Sequence, residues 1–190
     1  MKKKVRSKAY AASAKERPLS MIRIRAKAGN SRRGWLAFGG RVIPVALGRG
    51  GILANKREGD GGTPKGAFGP RQLWWRADRH PRPRTHLPVR AIRTEDAWCE
   101  DPADRRYNQP VRLPPGAPGD RLWRQDRLYD LVIELDHNTR PRIAGRGSAV
   151  FVHVARPGFA PTAGCIALDA GPLRRLLARC GPRTEIEIYF

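Results

Sequence analysis

Cys165 stands directly after Gly164 in the run Pro161-Thr162-Ala163-Gly164-Cys165-Ile166, where a loop gives way to an apolar, strand-like segment. A thiol beside a residue without a Cβ lets a substrate carbonyl come close to backbone N–H groups, the geometry of a nucleophile with an oxyanion hole. Such a thiol needs a base, and His153 lies upstream in Phe151-Val152-His153-Val154. Alternation along that run puts Val150, Val152 and Val154 on one face and Phe151 and His153 on the other. Two adjacent antiparallel strands joined by residues 155–163 would then bring His153 within hydrogen-bond reach of Cys165. The chemistry in view is acyl transfer through a thioester. Spacing alone leaves a packed histidine beside a packed cysteine as the alternative.

The other thiols read as structural. Cys180 falls on the apolar face of a helical pattern, and Cys99 in Trp98-Cys99-Glu100-Asp101 has acidic neighbours that blunt a thiol. Three widely spaced cysteines do not make a disulfide framework. His80, His86, His137 and His153 have no close-paired ligand spacing, so neither a metal nor another cofactor is expected. Lys65 is followed by Gly66, which breaks the order of a phosphate loop and leaves Asp60–Gly66 a tight turn. Trp74, Trp75, Trp98 and Trp123 are expected to pack in the core or loops rather than line a groove.

The elements that must hold Cys165 and His153 are short strands. Ile22 and Ile24 alternate with Arg23 and Arg25, and Trp35–Phe38, Gly39-Gly40, Val42–Leu47 reads as a hairpin with a diglycine turn. Leu131–Leu135, Ala149–Val154, Gly164–Leu168 and Thr184–Phe190 are further strands, rich in β-branched residues. Leu173, Leu176, Leu177 and Cys180 mark one helix, started near Pro172 and stopped by Gly181-Pro182. Residues 70–127 have no sustained periodicity and read as a loop-rich insertion.

At 190 residues the chain has the length of one domain, and its net charge is +21. Half of that excess lies in residues 1–33, with 12 Lys/Arg against one acid, so residues 1–20 read as a disordered basic arm and 21–190 as the folded domain. No run is long and apolar enough for a membrane span, and the first thirty residues are expected to hold no secretory signal. The basic surface has no arginine stripe with interleaved aromatics, so no specific nucleic acid is expected.

Taken together, these residues resemble the L,D-transpeptidase catalytic domain, or YkuD domain, of bacterial cell-wall enzymes. The family pattern of a strand ending in His, a loop, and Ser/Thr-x-Gly-Cys stands here as Val152-His153 and Thr162-Ala163-Gly164-Cys165. Thr63-Pro64-Lys65-Gly66-Ala67-Phe68 is similar to the family's Thr-Pro-x-Gly-x-Phe turn, and Tyr129, Asn138 and Gly147–Phe151 fit the approach to the histidine. The resemblance implies a mainly β fold, a YkuD-like sandwich or barrel-like domain with one or two helices.

It also implies a peptidoglycan L,D-transpeptidase that crosslinks donor and acceptor stem peptides. Cys165 would be the nucleophile and His153 the general base and acid. The N–H groups of Gly164 and Cys165 would be oxyanion donors, with Thr162 shaping the site. Trp98, Tyr129 and Asn138 are placed with the substrate. Where many members carry Arg two residues after the cysteine, this chain has Ala167, so Arg146 or Arg156 is expected to meet substrate carboxylates. A carbapenem would be a covalent inhibitor, and the periplasm or cell wall the place of action. An L,D-carboxypeptidase or hydrolase, a D-amino-acid exchanger on the same residues, and a non-catalytic basic binding module are the alternatives.

Overall fold

The computed structural model describes residues 17–117 and 119–190. Most of the expected basic arm, residues 1–16, lies outside the described residues. Its last residues are not free: the Leu19 N–H donates to the Arg179 carbonyl at 2.8 Å, and the Glu185 N–H to the Ser20 carbonyl at 2.8 Å.

The first strands are β1 (Met21–Lys27), β2 (Asn30–Phe38), β3 (Arg41–Ala46), β4 (Ile52–Leu53), β5 (Thr63–Pro64), β6 (Gly66–Phe68) and β7 (Pro70–Trp75). Next come β8 (Val89–Ala91), β9 (Asp96–Cys99), β10 (Gln109–Arg112), β11 (Asp120–Arg121), β12 (Leu131–Leu135) and β13 (Phe151–Val154). A 3-10 turn (Pro157–Phe159), β14 (Ile166–Leu168), α1 (Ala170–Leu177) and β15 (Glu185–Tyr189) complete the fold, which is mainly β. Ten strands form one mixed sheet in the order β6-β15-β1-β2-β3-β14-β13-β12-β7-β8, and β10-β9-β11 form a smaller one.

The hairpin of β2 and β3 turns at Gly39-Gly40, both with positive φ (49° and 76°), the mirror-image turn whose twist suits a two-residue connection. Ile22 and Ile24 of β1 are fully buried between the basic residues that flank them, as the alternation requires. Leu73 of β7, Ile166 of β14 and Ile186 of β15 belong to a single apolar cluster. Strands so far apart in the sheet order meet only if the sheet curls around that core. Leu173, Leu176 and Leu177 of α1 close it, each side chain contributing about 1.5–3 kcal/mol on burial.

The central strands are buried on both faces. Val150, Val152 and Val154 join the main core, whereas Phe151 packs with Trp74, Trp98, Leu122, Val132 and Cys165 in a second cluster. The small β10-β9-β11 sheet supplies Trp98, and Leu122 follows β11, so this sheet roofs the second cluster.

The loop-rich segment 70–127 also holds strands: β7 pairs along its length with β12 inside the main sheet, and β8 to β11 are short strands. Burial of Leu73 and Trp74 in succession, on opposite faces, erases the alternation that would have marked β7. One expectation changes here. The strands carrying His153 and approaching Cys165 run parallel, not antiparallel. Residues 155–165 are long enough to carry the chain back to the start of β13, as a parallel crossover demands.

Candidate active site

Parallel pairing sets Val152 against Ile166 and His153 against Ala167. Cys165, one residue before Ile166, therefore lies on the same face as His153, offset by two residues on the neighbouring strand. Strand rise and spacing place their Cα atoms roughly 8 Å apart. Both side chains line one cavity of about 520 Å³.

The loop before Cys165 is held from several sides. Thr162 Oγ1 donates to the Cys165 carbonyl at 2.6 Å and accepts from the Gly164 N–H at 3.1 Å. The Thr162 N–H donates to the Leu47 carbonyl, and its carbonyl accepts from the Arg49 N–H, both at 2.9 Å. From the Thr63-Pro64 turn, the fully buried Thr63 accepts from the Gly48 N–H at 2.9 Å and donates to the Cys165 carbonyl at 3.4 Å. Gly164 has φ of +144°, and a Cβ there would lie 2.9 Å from the Gly62 carbonyl oxygen. Only glycine suits both the conformation and the space.

The Gly164 N–H, expected as an oxyanion donor, is thus directed at Thr162 Oγ1 in this structure.

His153 is 5% exposed, and its Nδ1 is 2.9 Å from the Val154 carbonyl oxygen. A carbonyl can only accept, so Nδ1 carries the proton and Nε2 is the basic nitrogen of the neutral ring. Burial pulls His153 down to about 4, the bond to Val154 opposing it. Burial likewise pushes the Cys165 thiol up to about 12, helped by the charges of Asp120 and Glu100 and opposed by the Phe151 N–H and Lys56. The resting pair is thus a neutral thiol and a neutral imidazole. The thiol donates to the Ala149 carbonyl at 3.1 Å.

Of the other residues expected at the site, Tyr129 and Arg156 line the cavity. The Tyr129 ring stands edge-on to His153, centroids 5.4 Å apart, and its hydroxyl donates to Asp120 Oδ2 at 3.3 Å. Trp98, Asn138 and Arg146 do not line the cavity. Trp98 is buried edge-on against Phe151, at 5.0 Å, and lines a separate cavity of about 390 Å³. Asn138 clamps its own loop through the Ile143 and Gly147 carbonyls, each at 2.9 Å. Arg146 is exposed, and its carbonyl accepts from His137 Nε2 at 3.0 Å.

Charged residues that the sequence reading did not single out complete the cavity: Arg49, Lys56 and Arg124, with Glu58, Glu100 and Asp120. Lys56 is 7% exposed and donates to Asp60 Oδ1 at 2.5 Å and to the Arg57 carbonyl at 2.7 Å. Glu100 is open to solvent, yet crowding by protein atoms and the charges of Asp120 and Glu58 push it up to about 7.

Cys99 and Cys180 are buried away from this cavity. Burial raises both thiols, Cys180 to about 12, and at Cys99 the neighbouring acids are the lesser cause. Among the described residues no cluster of His, Cys, Asp and Glu could hold a metal ion.

A family model described as the L,D-transpeptidase catalytic domain, YkuD, matches residues 23–188. No curated protein and no solved structure matches the chain.

Proposed function

Because this chain belongs to the YkuD family of L,D-transpeptidase catalytic domains, which are cysteine-dependent cell-wall enzymes, we propose that it crosslinks peptidoglycan stem peptides through a thioester on Cys165. The observation that carries this reading is the shared cavity of Cys165 and His153, with the His153 tautomer set by Val154.

The reaction is a two-step acyl transfer. Cys165 Sγ attacks the carbonyl of an L,D-peptide bond in the donor stem as His153 Nε2 takes the thiol proton. Collapse of the tetrahedral intermediate forms the thioester and expels the terminal D-residue, whose amine leaves with the proton from His153. An acceptor amine then attacks the thioester and passes its extra proton to His153. Collapse forms the new amide, and the thiolate recovers that proton.

Since burial keeps thiol and imidazole neutral, proton transfer accompanies attack rather than preceding it. With the Gly164 N–H occupied, the Cys165 N–H is the remaining donor of the expected pair, and Lys56 supplies positive charge beside it. A preorganised oxyanion donor is worth about 3–4 kcal/mol of barrier. Arg49, Arg124 and Arg156, which line the cavity, suit donor carboxylates. Tyr129 orients the His153 ring.

Peptidoglycan places the work at the periplasmic face or in the wall. Among the described residues no helix is long and apolar enough to cross a membrane. The test is product analysis with purified disaccharide-peptides. The expected outcome is crosslinked dimer plus released D-amino acid, both lost in Cys165→Ala. Released D-amino acid without dimer would identify a carboxypeptidase instead.

A further inference from the structure

Asn108 lies far from Cys165 in sequence, yet every polar atom of its side chain is committed around the nucleophile's support. It is 5% exposed. Its Oδ1 accepts from the Ala149 N–H at 3.1 Å and from Trp98 Nε1 at 3.1 Å. Its Nδ2 donates to the carbonyls of His137 at 3.0 Å and Asn138 at 2.9 Å. One amide therefore ties together the insertion sheet through Trp98, the turn after β12, and the residue that leads into β13.

Ala149 is held in an uncommon state. Its φ is +50°, a conformation that costs a residue with a Cβ about 1 kcal/mol or more and persists only where surroundings impose it. The Ala149 carbonyl accepts the Cys165 thiol at 3.1 Å. The Phe151 N–H, two residues on, lowers the thiol pKa against the rise that burial imposes. Asn108 itself has φ of +53° and is anchored by its N–H on the Cys99 carbonyl at 2.8 Å, so its placement is built in as well.

We propose that Asn108 is a positioning residue for the reaction: by holding the Ala149 N–H it fixes the Ala149 carbonyl against Cys165 Sγ. The inference rests on Cys165 being the nucleophile. Asn108 touches neither substrate nor sulfur and acts through Ala149. Trp98, expected with the substrate by the resemblance, instead shares the oxygen that holds Ala149.

The test is the first-order acylation rate constant of the full chain with a carbapenem, followed by intact mass against inhibitor concentration, alongside urea unfolding. Asn108→Ala removes the oxygen and is expected to lower that constant at least tenfold, leaving the half-saturating concentration and one-to-one stoichiometry unchanged. Asn108→Asp keeps an oxygen for Ala149 but loses both Nδ2 donors. It is expected to lose stability while keeping the rate constant within about threefold of the original, since only the acceptor reaches Cys165.

A folded Asn108→Ala variant with an unchanged rate constant overturns the proposal. So does a rate loss in Asn108→Asp as large as in the alanine variant, which assigns the effect to general loosening. Should Asn108→Ala not fold, Ala149→Gly carries the test. Glycine frees the backbone at 149 with Asn108 intact, so a several-fold lower rate constant supports the proposal and an unchanged one overturns it. Failure of the unsubstituted protein to be acylated at Cys165 would instead strike the functional reading beneath it.

Discussion

His153 and Cys165 sit on one face of two parallel strands, two register positions apart, with His153 directly opposite Ala167. Nδ1 of the histidine is tied back to Val154, so in the proposed reaction the thiol proton has one destination, Nε2. Both groups are neutral at rest because burial penalises their charged forms.

Acylation should follow the protonation of His153 alone across the acid and neutral range. With His153 near 4 and the thiol near 12, the carbapenem acylation rate should rise with pH through about 4 and stay level through neutrality. A midpoint above pH 6 would instead mean that His153 titrates near its ordinary value and is not held neutral by burial.

Stability should carry the same signature. His153 titrates near 4 when folded and at its ordinary 6.5 when unfolded, so between these values the unfolded chain binds more protons and stability falls as pH falls. The full effect is roughly 3 kcal/mol. Urea unfolding of the protein and of His153→Gln should diverge across pH 6.5 to 4, the variant losing less. Parallel curves would mean that His153 is not held neutral by burial.

Gly164→Ala should impair both fold and reaction. The new Cβ meets the Gly62 carbonyl at 2.9 Å in a backbone state with φ of +144°. The cost is about 1–3 kcal/mol for the dihedral alone. Thermal unfolding should show the loss, and acylation of the folded fraction should slow, because Cys165 is the next residue.

Thr63→Val tests the turn that packs beneath Cys165. Valine fills the same space but leaves the Gly48 N–H without its acceptor and removes one of two hydroxyls on the Cys165 carbonyl. A destabilisation of about 1–3 kcal/mol is expected by urea unfolding. Thr63→Ser, which keeps the hydroxyl, should recover most of it.

Much of the site was legible because its parts are local. Gly164-Cys165, the alternation around His153 and the valine face of Val150, Val152 and Val154 are all encoded within a few residues, and the structure groups them as alternation demands. The diglycine hairpin and the leucine face of α1 were equally plain. Strand direction was not, since periodicity reports faces and says nothing of polarity; only the length of the connection 155–165 hinted at a crossover. β7 escaped notice because a strand buried on both faces has no alternation to read.

The polar contributors were harder still. Asn108, Lys56 and Glu100 reach the site through tertiary packing, and a lone Asn, Lys or Glu in a loop-like stretch has no pattern to mark it. Asn138 was noticed for its position, yet its side chain is spent on the loop it belongs to.

The central claim is that Cys165 is the acyl carrier, and the most direct measurement is peptide mapping of the covalent adduct formed with a carbapenem. The account predicts one adduct per chain, on the Cys165 peptide, retained in Cys99→Ser and Cys180→Ser, abolished in Cys165→Ala and slowed by orders of magnitude in His153→Ala. An adduct on Cys99 or Cys180, or one that survives Cys165→Ala, would contradict it.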